Sequence, residues 1–243
     1  MASASPGADL RDEAARSLRA LEASGLFADE VPRRRQVSHA AQSALTVDEV
    51  NAEYARGREA VARVPDWAAL AAHVQTLGEA RFEASVPLLA RIWRECLISP
   101  VRVQAGHALR AIGSRDARAA LTAMIDDADH LSVFLALRAI FDGDAMRAFD
   151  QLAPYFAEAR LSRAGGAVIP RAVLASFAPC SKTGEAKRFT DACVATLFRD
   201  DPRWVTLCTS LTEHASLGKA ARAALRHCGR AVKTGEKRRS GLR

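Results

Sequence analysis

The residues best placed to do chemistry in this chain are arginines at matched positions of a recurring word. Arg110 sits in "ALRAI" at 108–112, and Arg138 sits in the same five letters at 136–140, 28 residues later. Arg226 holds the same place in "ALRHC" at 224–228, and Arg102 opens the segment that ends in the first copy. Guanidinium groups repeated at a structural period would form a column that pairs, fork to fork, with phosphates or with the carboxylates of an acidic partner. The plainer reading gives each arginine a solvated head and a stem that covers apolar surface.

Other chemistries find less support. Six histidines (His39, His73, His107, His130, His214, His227) and five cysteines (Cys96, Cys180, Cys193, Cys208, Cys228) are present. They show neither C-x2-4-C nor H-x3-5-H spacing, so no metal site is expected. Acids gather as Asp126, Asp127 and Asp129, and again as Asp142, Asp144 and Asp150. Their place at turns suits helix N-termini, where carboxylates are favourable, better than an acid–base pair. "SLGKAA" (216–221) lacks the first glycine and the Ser or Thr of a phosphate loop. There is no G-x-S-x-G and no Cys–His nucleophile arrangement, so no catalytic residue and no cofactor is assigned. "KTGE" recurs at 182–185 and 233–236, and beyond turn formation by glycine the recurrence reads as coincidence. Trp67, Trp93 and Trp204 are isolated and read as packing residues.

The formal charge of +7 invites a nucleic-acid reading, but its location narrows it. Residues 230–243, "RAVKTGEKRRSGLR", hold six bases and one acid, or +5, leaving +2 for the other 229 residues. The body is nearly balanced, so nucleic acid or another anion is expected at the tail, through Lys233, Lys237, Arg238 and Arg239. The first residues lack the apolar run of a secretory signal, and no stretch reaches the roughly 18 apolar residues of a membrane span. Scattered cysteines, odd in number, fit a reduced cytoplasmic compartment, without membrane attachment.

The elements that would carry these residues are helices. Ala, Leu and Arg dominate, only 6% of residues are aromatic, and 49% are hydrophobic, enough for a sizeable core. Leu10, Ala14, Leu18 and Leu21 mark one face of a helix over about 9–24, stopped by Gly25. Residues 27–44 have no period and read as a linker or a loose loop. "TVDE" (46–49) is a capping box that opens a helix to about Val64. Helical segments follow at 66–76, 82–96, 100–112, 115–126, 130–141 and 144–157, then about 168–177, 186–198, 203–211 and 217–228. Ser99-Pro100 reads as an N-cap and first-turn proline, and Gly78, Gly113 and Gly143 as breaks between helices.

The repeated word sits on this rhythm. Ala108, Leu109, Ile112, Ala117 and Leu121 map at an offset of 28 onto Ala136, Leu137, Ile140, Ala145 and Phe149. A third copy, "SLGKAARAALRHCG" at 216–229, aligns with "PVRVQAGHALRAIG" at 100–113, and a weaker echo lies at 73–89. Small and apolar residues at helical spacing are a packing word, and helix pairs that cannot bury their own faces imply stacking.

In "VRVQAGHALRAIGSRDARAAL" the chain resembles the HEAT-like repeats, in particular the short bacterial type named after phycobilisome lyases. The likeness is best over 99–157, fair over 66–98 and 203–229, and does not extend to 1–45. It implies an all-α fold: a short α-solenoid of antiparallel helix pairs over 46–229, with extra N-terminal helices in 1–45 and a basic tail from 230. In that family an aspartate ending one helix and a Val-Arg opening the next form a ladder between repeats. Here Arg102 is present with Ser99-Pro100 at the acid position, while Asp126 and Asp127 precede Val133-Phe134, which lacks the arginine. The expected function is a non-enzymatic module that binds a protein partner, acidic if the arginines line the groove. The resemblance also admits two other roles: a nucleic-acid binder akin to HEAT-like alkylpurine DNA glycosylases, and a lyase or chaperone for a tetrapyrrole-bearing protein.

Overall fold

Alanine, leucine and arginine at helical period give a chain that is mostly helix. The computed structural model describes residues 6–42, 44–144, 147–177 and 201–227, and among these there is no strand, only two isolated antiparallel bridges. The chain divides into two compact units, Met1–Ala139 and Ile140–Arg243.

The first unit holds α1 (Pro6–Ala23), α2 (His39–Gln42), α3 (Val47–Arg63), α4 (Trp67–Glu79), α5 (Val86–Glu95), α6 (Ser99–Ile112) and α7 (Arg115–Thr122), with a short 3-10 turn at Glu83–Ser85. The division between the units falls within α8 (His130–Gly143). α6 is central: α4, α5 and α7 pack on it, and α1 packs on α4. The core joins Leu21 of α1, Val74 and Leu77 of α4, and Leu89, Ile92 and Trp93 of α5 to Ala105, Ala108 and Leu109 of α6. Full burial of one such leucine contributes about 1.5–3 kcal/mol.

The repeated word buries its opening Ala-Leu pair in both copies, with Ala108, Leu109, Ala136 and Leu137 each at most 3% exposed, whereas Ala111 is exposed and Ile112 half-buried in the first copy. Its glycines differ from one another. Gly113 caps α6 in the left-handed region (φ 64°), a conformation that suits a residue without Cβ. Gly78 is not a break between helices but a residue inside α4, where an added Cβ would lie 2.8 Å from Ala108 Cα. It is there because α4 and α6 cross backbone to backbone.

Local signals set several boundaries. The capping box of α3 is formed: Glu49 N–H donates to Thr46 Oγ1 (3.3 Å) and Thr46 N–H donates to Glu49 Oε2 (2.8 Å). At α6 the N-cap is Ile98, one residue earlier than the serine, and Pro100 falls in the first turn, where its missing N–H leaves no bond unmade.

In the second unit the expected helix over 144–157 is broken. Pro154 interrupts it, giving α9 (Ala148–Leu152) and a 3-10 turn (Ala153–Phe156), followed by α10 (Glu158–Leu161) and α11 (Val168–Ser176). Next come α12 (Pro202–Ser210) and α13, helical over 218–227. Trp204, fully buried, meets Phe149 and Phe177 edge-on at 5.0 Å each. The helix expected over 186–198 lies outside the described residues.

Candidate functional site

The most distinctive polar cluster of the first unit is built by residues far apart in sequence. Residues 27–42, part of the stretch 27–44 expected as a linker or loose loop, lie across the helices as a strap. Arg34 N–H donates to the Glu95 carbonyl (2.7 Å) and Ala128 N–H to the Val37 carbonyl (2.8 Å). Bridges join Arg33 to Cys96 and Ser38 to Asp127. Between these backbone ties, the Arg34 guanidinium takes both oxygens of Asp127, one at 2.9 Å and the other closer. The Asp127 side chain is 2% exposed and that of Arg34 is 12%. A bidentate pair of this kind is the strong form of a charged hydrogen bond, and the surrounding protein screens it poorly.

Beside it Arg102 donates to Asp129, and Asp129 accepts from the Leu131 N–H at 3.0 Å, capping the start of α8. Asp127 in turn accepts from the Asp129 N–H at 2.8 Å. Burial raises the pKa of Asp129, but the charge and hydrogen bond of Arg102, the Leu131 N–H and Arg34 outweigh it, and the carboxyl ends below its ordinary value. The sequence lacks the arginine expected after Asp126-Asp127. Arg34, 93 residues upstream of Asp127, supplies a guanidinium there instead.

The strap, α3 and the α5–α6 joint enclose an open groove of about 630 Å³. Its floor includes Cys96, Leu97 and Pro100, and one wall is the α3 face formed by Val50, Tyr54, Gly57, Arg58 and Val61. These wall positions follow spacings of three and four residues, the period of a helix seam. In a globular helix such a face is covered. Here Val50 and Val61 are each 40% exposed and Tyr54 is 73% exposed. α3 buries only Ala60, with Val64 buried at its C-cap, and Arg56 ties it to the Arg33 carbonyl of the strap. The helix thus stands off from the body and leaves its apolar face open. The signal was present in the sequence, since Val47, Val50, Tyr54 and Val61 are visible as a stripe.

Arg102 and the three arginines of the repeated word have unlike surroundings. Arg102 is held by Asp129 and lies 5.5 Å from the Trp93 ring. Arg110 is half-buried in the last turn of α6. Arg138 is buried at 8% exposure, with its guanidinium 6.0 Å from the Phe134 ring. Arg226 is exposed and donates to the Arg222 carbonyl at 3.3 Å. The first three belong to the first unit and Arg226 to the second. Lys233, Lys237, Arg238 and Arg239 lie outside the described residues, as do Cys180, Cys193, Cys228 and both "KTGE" sequences.

Cys96 and Cys208 are buried, and burial pushes their thiols up to about 11 and about 12, which disfavours the nucleophilic thiolate. Among the described residues no group of three or more His, Cys, Asp or Glu is disposed to hold a metal ion, and no helix is long and apolar enough to cross a membrane. Trp93 and Trp204 are core residues, fully buried, and Trp67 is half-buried against the core.

No protein-family model matches the sequence, and neither curated proteins nor solved structures give a match.

Proposed function

We propose that this chain is a non-enzymatic protein-interaction module, built on HEAT-like helical pairs stacked as a short solenoid. The observation that carries the reading is the α3 groove, where an apolar helix face is held open rather than packed. Isolated exposed apolar residues are ordinary, but a contiguous face along one side of a slot is what a docking surface requires. The burial of the Ala-Leu pair in both copies of the word supports stacked helical pairs as the scaffold. The near-neutral body favours a protein partner over a phosphate-tracking groove.

The test is affinity capture from the native cell with the full chain and with Tyr54→Glu, a change at a side chain already 73% exposed. A stoichiometric protein partner bound by the wild type and lost by the variant is the expected result. Recovery of nothing stoichiometric by the wild type would refute the proposal.

A further inference from the structure

The groove also indicates what kind of segment it takes. Three properties of its wall specify the occupant. The first is length: from Val50 to Val61 the wall spans twelve residues of helix, whose eleven rises of 1.5 Å make about 17 Å, the reach of three helical turns. The second is shape. The stripe of valine and tyrosine is interrupted by Gly57, and a Cβ built there meets nothing within 4 Å. Seams between helices work by knobs entering holes, and Gly57 leaves a hole where a large partner side chain can enter. The third is charge. Glu53 is paired with Arg56 at 2.8 Å, Arg34 with Asp127, and Arg102 with Asp129. Arg58 also lines the groove, is exposed, and has no carboxylate within ion-pair distance among the described residues. Its positive charge is therefore the uncompensated one at the groove.

We infer that the occupant is an amphipathic α-helix of a partner protein, about three turns long, with a bulky apolar residue over Gly57 and an acidic flank facing Arg58. This rests on the protein-interaction reading above. Two other occupants fit less well. A second copy of α3 laid parallel would set the Gly57 gap of one against that of the other and bring Arg58 towards another arginine; an antiparallel copy would give a concentration-dependent dimer, which sedimentation detects. The chain's own residues 230–243 carry +5 and would meet Arg58 with like charge. A small apolar anion would gain little in a slot whose lining side chains stay so open to water.

The experiment is selection from a display library of 16-residue amphipathic helices, their apolar stripe varied among Leu, Ile, Phe and Met and their flanks among Glu, Lys and Gln. The full chain is the bait, beside Gly57→Leu and Arg58→Glu. Gly57→Leu fills the hole at a helical position with open space, so it keeps the fold, which circular dichroism verifies. Selected helices should carry Glu on one flank, and fluorescence anisotropy should show their affinity falling at least tenfold with Gly57→Leu. Arg58→Glu should cost about tenfold for Glu-flanked helices and shift the selection towards Lys, as expected for a desolvated charge pair at an interface.

Enrichment without flank preference, an Arg58→Glu bait that still selects Glu, or binding undisturbed by Gly57→Leu would overturn the inference. So would a concentration-dependent dimer in sedimentation that Gly57→Leu abolishes, since the occupant would then be a second copy. If no helix is enriched while the capture experiment still finds a partner lost with Tyr54→Glu, the helix inference fails and the interaction function stands. If capture finds no partner, the interaction function itself fails.

Discussion

Gly78→Ala should destabilise the first unit, although the same exchange inside a helix usually stabilises. Replacing a helical glycine by alanine gains about 0.5–1 kcal/mol in mid-helix and less in the last turn, where Gly78 lies, because alanine loses less backbone freedom on folding. At Gly78 the new methyl would lie 2.8 Å from Ala108 Cα and 2.9 Å from Ala108 Cβ, whereas ordinary contacts begin near 3.4 Å. The obstruction is backbone as well as side chain, so no rotamer change relieves it, and α4 must move away from α6. Overpacking of this kind costs about 1–3 kcal/mol, and set against the propensity gain it leaves a net loss of up to about 2.5 kcal/mol. Gly57→Ala is the control: its Cβ meets nothing, so it should stabilise by about 0.5–1 kcal/mol. Ala108→Gly combined with Gly78→Ala should recover only part of the loss, since it removes the 2.9 Å contact and leaves the 2.8 Å one. Urea unfolding read by tryptophan fluorescence, with Trp93 buried in the same core, gives the midpoint shift at constant slope. If Gly78→Ala stabilises as much as Gly57→Ala, α4 and α6 do not meet at that point and the packing account of the repeated word is wrong.

Three further outcomes follow from the same geometry. Arg34→Ala leaves the buried Asp127 carboxylate without its guanidinium and should cost about 3 kcal/mol, within the range for breaking a buried pair. Trypsin should then cut faster at Arg33 and Arg35, and an unchanged cleavage rate would mean that the strap does not depend on this pair. Acid should act in two stages. His39 has a lowered pKa, through burial first and then the neighbouring His130, against the pull of Asp127, Asp126 and Asp129. Its neutral form is thus favoured on folding, and that contribution is full above its unfolded pKa of about 6.5 and lost as pH falls through the lower folded value. Asp129, also lowered, contributes fully above about 3.9 and loses its contribution only as pH falls further. A melting-temperature profile for His39→Gln should lack the upper stage and keep the lower one. Finally, Cys96 and Cys208 should stay unmodified by a thiol reagent at pH 8 in the folded chain and react in urea, as peptide mapping would show. Fast labelling of either in the native chain would contradict their burial.

The helices were legible in the sequence because their causes are local. Periodic alanine and leucine, the Thr46 capping box and the stops at Gly25 and Gly113 all act within a few residues of the boundaries they set. Gly78 is illegible for the opposite reason, since its role comes from Ala108 on another helix. The strap looks like a linker in the letters because it has no period of its own and its partners Glu95 and Asp127 stand about 60 and 90 positions away. A sequence pattern can show that an arginine is present, but which carboxylate it meets is decided by the fold. Arg102 found its acid in Asp129, 27 residues on, and Arg138 was buried in α8.

The groove lies between these cases. Its apolar stripe was visible in the letters, but a stripe on a helix ordinarily means a buried face, and nothing in the sequence told that this one would stay open. The way α3 is held together gives the physical reason. A helix that buries little more than Ala60 receives little help from the core and must be supported by its own residues. α3 has that support: a capping box at its start, Glu53 paired with Arg56, and Glu59 paired with Arg63 at 2.9 Å, four residues apart with the acid nearer the N-terminus. Each such feature contributes from a few tenths to about 1 kcal/mol, and together they replace part of what packing supplies elsewhere. Local reinforcement of a helix whose apolar side is left uncovered is consistent with a face kept for something else to cover.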